Sequence, residues 1–356
     1  MAVTALVHRL AASAPVPVFA AVGEDGLRAV DRLAVDPRVD LVASPLHAAL
    51  LLVVGTIRDD DRPELERLHD QLPHPRATVS WGGNAVFEGE AVDGTVDPLP
   101  LLSDMHRALM TRARPSEPDL LPNAPPNDWR GKGDFGQGGE GMMGGVPYGR
   151  PMPMTDDDMR DGLALDAYSA PFGPFLPQFP AGLTLDLTLQ GDVIQQAKVL
   201  RPPYPQHESG GAAVALRHVA RMLRLLGLPA RAERVLHDGP RERLAQTLSR
   251  WGAFAAIPPG LGMIDGTDVR GRLRAWCAEA GGGAGPVVED DGPLTDLLPG
   301  LEWHEAVLVL NSLPDAALRR LVPVPKPDDD QGEHKHEHHH DHHHHDHDHG
   351  HGEAHG

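Results

Sequence analysis

The chain has 356 residues, enough for two domains, and 40% of them are hydrophobic, enough to build their cores. It carries 32 basic against 51 acidic side chains, a net charge of −19, and only 4% aromatics. That balance argues against binding nucleic acid or anionic membrane through the overall field, and against base-stacking surfaces. A single cysteine, Cys277, excludes a disulfide framework, an all-cysteine zinc site and any iron–sulfur cluster held by this chain alone.

The opening MAVTALVHRLAASAPVPVFAAVG is apolar, but His8, Arg9, Pro15 and Pro17 interrupt it. It reads as chain start rather than secretory leader, and a cytoplasmic location is expected. The longest apolar run, Ala48–Val54, is far short of a membrane span, so no direct membrane insertion is expected.

Residues 1–115 alternate strand and helix patterns. Pro15–Val22 is a strand ending at Gly23, and Gly26–Leu33 has apolar residues at helical spacing. Ala48–Gly55 is a continuous apolar run stopped by glycine, as in a strand buried on both faces. Arg62–Leu72 is an amphipathic helix with Pro63 in its first turn, Arg76–Gly83 a further strand, and Leu101–Met110 a helix. Such alternation predicts a parallel sheet covered by helices, an α/β fold of flavodoxin-like type.

Residues 116–150 read as a Pro/Gly-rich linker, with eight glycines in Gly131–Gly145. Gly131-Lys132-Gly133 does not supply the Gly-Lys-Ser/Thr of a phosphate loop. Residues 151–325 form a second block. Gly182–Leu200 alternates with period two around a Gln190-Gly191-Asp192 turn, which predicts a β-hairpin. Helical patterns follow over Ala212–Pro229, Arg241–Phe254, Val269–Ala280 and Trp303–Leu313, so this block reads as α+β, a hairpin sheet plus helices.

The tail, 326–356, is low in complexity and nearly free of apolar residues, and is expected to be disordered. It holds thirteen of the twenty-two histidines: His334, His336, His338, His339, His340, His342, His343, His344, His345, His347, His349, His351 and His355. Neutral imidazole with interleaved carboxylates is a donor set for nickel or zinc. Asp, Glu and Gly break the run throughout, unlike an unbroken histidine tag.

Among single residues, the Gly23-Glu24-Asp25-Gly26 turn is a poor anion site, because its two acids repel phosphate. Asp156-Asp157-Asp158 reads as a solvated helix cap rather than a cation site. His69 is expected as a partly buried polar side chain, His218 at a surface or interface, and Cys277 as a small core residue. Tyr204 and His207 fall in the loop after the hairpin.

The segment Ser44–Asn84 resembles the small, cluster-bearing subunit shared by respiratory complex I and the nickel–iron hydrogenases. The matching pieces are Ser44-Pro45, the strand ending Val54-Gly55-Thr56, the helix with Leu68-His69-Asp70-Gln71-Leu72-Pro73-His74-Pro75, and the strand ending Ser80-Trp81-Gly82. Gly173–Val199 and Ala220–Val235 are similar to the opening hairpin and following helix–turn–helix of the large subunit of the same enzymes, and Gly149–Asp166 to a connector near its start. The chain thus resembles a fusion of a 20 kDa-type small subunit with a truncated 49 kDa-type large subunit.

The resemblance implies four cluster cysteines at positions near Gly23, Glu24, Asn84 and Pro98–Pro100, and quinone-facing histidines near Leu176 and Pro180. It also implies a Tyr-x-His near Tyr204 and His207. None of the four positions is cysteine, so no iron–sulfur cluster is expected and no catalytic residue is assigned. The expectation is a cytoplasmic, non-redox accessory or scaffold protein for assembly or metal delivery, with a nickel- or zinc-binding tail. Its partners would be hydrogenase or complex I-like subunits or maturation proteins. The alternative is a structural subunit of an NADH:quinone oxidoreductase-like or hydrogenase complex, its clusters held by partners.

Overall fold

A computed structural model describes residues 11–87, 89–122, 154–156, 165–207, 210–239, 242–289 and 292–322. The first block is a parallel sheet of β1 (Val16–Val22), β2 (Val39–Leu41), β3 (Leu50–Val54), β4 (Ala77–Trp81) and β5 (Glu90–Val92). Its strand order is β2-β1-β3-β4-β5, the doubly wound flavodoxin-like arrangement. Helices α1 (Leu27–Leu33), α2 (Arg62–Gln71) and α3 (Leu99–Met110) cover it.

Every residue of β3 is buried because both faces are covered. Leu50, Leu52 and Val54 point to the layer of Leu33 and Leu102, while Leu51 and Val53 point to that of Leu65 and Leu68. The period-two pleat thus divides one apolar run between two cores. Strands β2 and β5, three residues each, were not apparent from sequence pattern.

The second block has an antiparallel sheet of order β6-β7-β8-β9. The strands are β6 (Met154–Asp156), β7 (Leu165–Phe172), β8 (Thr184–Gln190) and β9 (Val193–Arg201). The expected hairpin is β8–β9, turning at Gly191 in the left-handed region. The structure extends it by two strands.

Helices α4 (Ala212–Leu225), α5 (Pro229–Asp238), α6 (Leu244–Arg250) and α7 (Val269–Ala280) pack into one core, and α8 (Trp303–Ser312) reaches both this core and the sheet. A further helix, α9 (Asp315–Leu321), packs on the sheet side. Helix α4 stops at Gly227 (φ +75°), where the Leu228 N–H returns to the Leu223 carbonyl at 2.8 Å, and Pro229 starts α5. Arg272 is wholly buried and joins helices by donating to Ser312 Oγ (3.0 Å) and to the carbonyls of Thr267 (2.7 Å) and Gly262 (2.9 Å).

Two expectations are corrected here. His218 is not at the surface. It is buried in α4 and stacks on Trp276 at 4.0 Å between ring centroids. The amphipathic stripe of α4 is wide enough to bury that position too. Asp156 is no helix cap: it ends β6, where the backbone pairs with Leu165 of β7. Cys277 lies in the helical core as expected, and burial pushes its thiol up to about 12.

Burial lowers the His218 pKa to about 4; Asp315 opposes the shift, and Arg221 and Arg217 reinforce it. An unfolded histidine titrates near 6.5, so as pH falls the unfolded chain takes up the proton first. Stability from the neutral ring is full above about pH 6.5, declines as pH falls, and is gone below about pH 4. Urea unfolding at pH 7.5 and 4.5 is expected to show a loss on the order of 2–3 kcal/mol from this residue. His218→Phe, which keeps the stacking on Trp276, is expected to flatten that part of the profile.

Candidate functional site

In an open α/β sheet, ligands bind beyond the carboxyl ends of the strands, where the strand order reverses. Here that point lies between β1 and β3. Three loops meet there: Gly23–Gly26 after β1, Gly55–Arg58 after β3, and Gly82–Asn84 after β4. The first and third of them carry three of the implied cluster positions, Gly23, Glu24 and Asn84.

The loops close on one another through their backbones. The Gly23 N–H donates to the Val54 carbonyl at 2.7 Å, and Glu24 and Thr56 exchange N–H···O bonds at 2.9 and 3.2 Å. A Cβ on Gly83 would stand 1.9 Å from the Gly55 carbonyl oxygen, so only glycine admits this approach. Asn84 binds its neighbour instead of a ligand: its Oδ1 accepts from Ile57 N at 3.1 Å and its Nδ2 donates to Ile57 O at 3.3 Å.

The iron–sulfur cluster implied by the resemblance therefore does not fit the residues present. Cluster iron is held by thiolates. The loops offer backbone, an amide and carboxylates, and Cys277 is sequestered in the helical core.

The second block lies over these loops. Gln206 Oε1 accepts from Leu27 N and its Nε2 donates to Gly23 O, both at 3.0 Å. The Asp25 N–H donates to Pro205 O at 3.2 Å, and Asp25 Oδ1 accepts from His207 N at 2.6 Å. That bond from the His207 backbone holds the Asp25 carboxyl below its ordinary range, and the His207 ring at 3.2 Å adds to it. Glu24, Asp25 and His207, the first half-buried and the other two exposed, bring three donor atoms within 4.8 Å of one another, close enough for a cation. The bonds between Asp25 and His207 fasten the loop.

Beside this lies a buried charge cluster. Asp61, wholly buried, accepts from Arg58 Nε at 2.8 Å and from the Tyr204 hydroxyl, and pairs with Arg201 at 2.8 Å. Arg58 also donates to the carbonyls of Pro202 (2.7 Å) and Gly182 (2.8 Å), and its guanidinium lies 4.1 Å from the Tyr204 ring centroid. Arg201 reaches Asp60 O at 2.6 Å and Glu64 Oε1 at 2.8 Å. Gly182 (φ +82°) gives the Tyr204 ring its space, since a Cβ there would sit 2.3 Å from Cδ2. Burial and then the Asp61 carboxylate push the Tyr204 phenol well above its ordinary range, which leaves it a hydrogen-bond donor and no base.

Tyr204 and His207 thus contact the first block of the same chain, a role that sequence spacing could not show. His69, expected to be partly buried, is buried almost completely, with Nδ1 on Asp70 at 2.8 Å and Nε2 on Glu117 at 3.3 Å. Glu117, in the segment after α3, accepts from the Thr78 backbone at 2.9 Å and ties that segment to β4. Leu176 and Pro180 lie in the β7–β8 connection. Pro98 caps α3, and Leu99 and Pro100 open it. The thirteen tail histidines and the Asp157–Asp158 pair lie outside the described residues.

No known family model matches the chain. Parts of it are similar to curated proteins named as the B-type subunits of NADH-quinone oxidoreductase. It is 47% identical over 47 residues to that of Bacteroides thetaiotaomicron, 13% of this chain and 24% of the relative. It is 40% identical over 52 residues to one from Roseiflexus sp. (strain RS-1), 15% of this chain and 19% of the relative. For Clostridium beijerinckii the figures are 37% over 51 residues, 14% and 30%. The chain therefore spans less than a third of the length of these relatives. The similarity supports a relationship of part of this chain to the small, 20 kDa-type subunit of complex I.

Asp61→Asn is expected to strand Arg58 and Arg201 without their buried counter-charge. The Arg58 and Arg201 side chains are 29% and 24% exposed, so water takes up part of the loss, and a destabilisation of about 2–3 kcal/mol is expected. Denaturant unfolding of the two proteins at pH 7.5 checks the figure, with a loss under about 1 kcal/mol marking the cluster as dispensable.

Proposed function

We propose that this chain is a non-redox accessory or scaffold protein for a complex I-like or nickel–iron hydrogenase-like assembly. The observation that supports this reading is the closed loop cluster beyond β1, β3 and β4. A small-subunit-like sheet is kept there while the space beside it is filled by backbone and covered by a loop of the same chain. The second block would be the truncated 49 kDa-type partner, fused in cis and occupying the surface where a separate subunit would dock. Its contacts with the Gly23–Gly26 and Arg58–Glu64 segments suit that role. The partners would be subunits or maturation proteins of such an enzyme, in the cytoplasm. Among the described residues no helix is long and apolar enough to cross a membrane.

The histidine-rich tail would bind nickel or zinc for delivery during assembly, through His334–His355. The alternative role, a permanent structural subunit of an NADH:quinone oxidoreductase-like or hydrogenase complex, shares the docking surface and differs in residence time.

Two measurements test this. Affinity purification from the native cell is expected to recover immature, cluster-poor partner subunits in less than stoichiometric amount. Recovery in an active complex at one copy per complex would replace the accessory reading with the subunit reading, and recovery of no related subunit would overturn both. Calorimetric titration with nickel is expected to show multi-site binding that is lost on deletion of Glu333–Gly356. The same binding should weaken as pH drops through roughly 6.5, because imidazole must be neutral to coordinate. Binding that survives the deletion would remove the tail from the proposal.

A further inference from the structure

Between the two blocks, on the α1 face of the parallel sheet, lies a cavity of about 650 Å³. That is within the range of small-molecule sites, which are concave and mostly apolar with a few convergent polar groups. It is separate from the closed loop cluster. Its walls include Val22 and Leu41 of the sheet region, Leu176 of the β7–β8 connection and Trp303 at the start of α8. Trp303 packs against two rings, Phe172 at 5.0 Å and Phe179 at 5.4 Å between centroids.

The polar groups of the cavity are not evenly spread. Its floor carries Arg221 and Arg224 of α4 with Asp31 of α1, whereas Asp40, Glu233 and His304 are exposed at its rim. Arg221 donates to the Phe179 carbonyl at 2.7 Å. Asp31 stands 3.5 Å from Arg224 Nη1 and 3.6 Å from Arg217 Nε. The Nη2 of Arg224 is buried and has no hydrogen-bond partner.

A buried guanidinium donor left unpaired carries a desolvation cost that a ligand oxygen would remove. The surrounding charge has the matching sign. Arg217, Arg221 and Arg224 face two carboxylates, Asp31 and Asp315, and Arg28 and Arg32 of α1 add to the positive side. An excess of one cation in the inner group suits a monoanion better than a doubly charged phosphate. The apolar walls call for a chain rather than a compact polar metabolite.

We propose that this cavity binds a long-chain carboxylate. The tail lies between Val22, Leu41, Leu176 and Trp303. The head group sits on the Arg221–Arg224 floor, and supplies the oxygen that the buried Arg224 Nη2 lacks once that side chain turns toward the cavity. This assignment does not rest on the assembly role proposed above, and either can fail alone.

The test uses the full chain and dodecanoate as probe, with dodecanol as the uncharged isostere, in calorimetric titrations at pH 8. Saturable one-to-one binding of dodecanoate is expected, at least about tenfold tighter than dodecanol, since a charge-assisted hydrogen bond and 1.4 kcal/mol per decade set that scale. Arg224→Gln is expected to weaken dodecanoate about tenfold or more and leave dodecanol unchanged, while Arg224→Lys recovers part of the preference. Leu176→Trp, which fills the cavity without touching the charges, is expected to abolish both. Dodecanol or a short-chain benzoquinone binding as tightly as dodecanoate would overturn the proposal. So would an unchanged Arg224→Gln, or the absence of saturation.

Discussion

The buried carboxylate of Asp61 is the point on which the joining of the two blocks turns. A lone buried charge is costly, and this one is matched by Arg58 from its own loop and by Arg201 and Tyr204 from the other block. Once those partners are fixed, the loop Pro202–His207 has little choice of path. Its carbonyls and side chains then meet Arg58, Gly23, Asp25 and Leu27 in turn. Neither block satisfies these groups by itself. Interfaces between domains of one chain are commonly polar and slack; this one is polar, but its central carboxylate is desolvated, which ties each block to the other.

The same arrangement explains why the carboxyl edge of the sheet is not an open crevice. In a doubly wound sheet the edge is where loops splay apart and leave room. Here the Glu24–Thr56 bridge, the Gly83–Gly55 contact and the Asn84–Ile57 pair use up the backbone groups that would line such a space. The room in the molecule has moved to the α1 face, where the β7–β8 connection stands off from the sheet and leaves the cavity floored by Arg221 and Arg224.

Much of the architecture was legible in the sequence. The run Leu50–Val54, stopped by glycine, could only be a strand covered on both sides, and alternation of strand and helix periods around it implied the parallel sheet. The β8–β9 hairpin announced itself through period two and a Gly191 turn. The edge strands β2 and β5 are three residues long, too short for any period to register, and β7 carries Pro171 within a mixed run. His218 was misplaced because a histidine flanked by arginines looks solvated, while the helix buries it against Trp276. The Asp61 cluster was invisible for a different reason. Asp61 is one of three adjacent aspartates with nothing to mark it, and its partner Tyr204 is 143 residues away. Side chains joined only by the fold leave no spacing to read.

The close approach of Gly83 to Gly55 has a consequence for how such a chain can change. A cysteine placed at Gly23 would meet a closed wall: the new Cβ would lie 2.4 Å from the Thr56 oxygen. That step would cost stability and by itself yield no metal site, since one thiolate holds no cluster. The absence of thiolates has thus become locked into the path of the main chain itself. It acts as a ratchet, passable only if the facing Thr56–Ile57 segment moves as well.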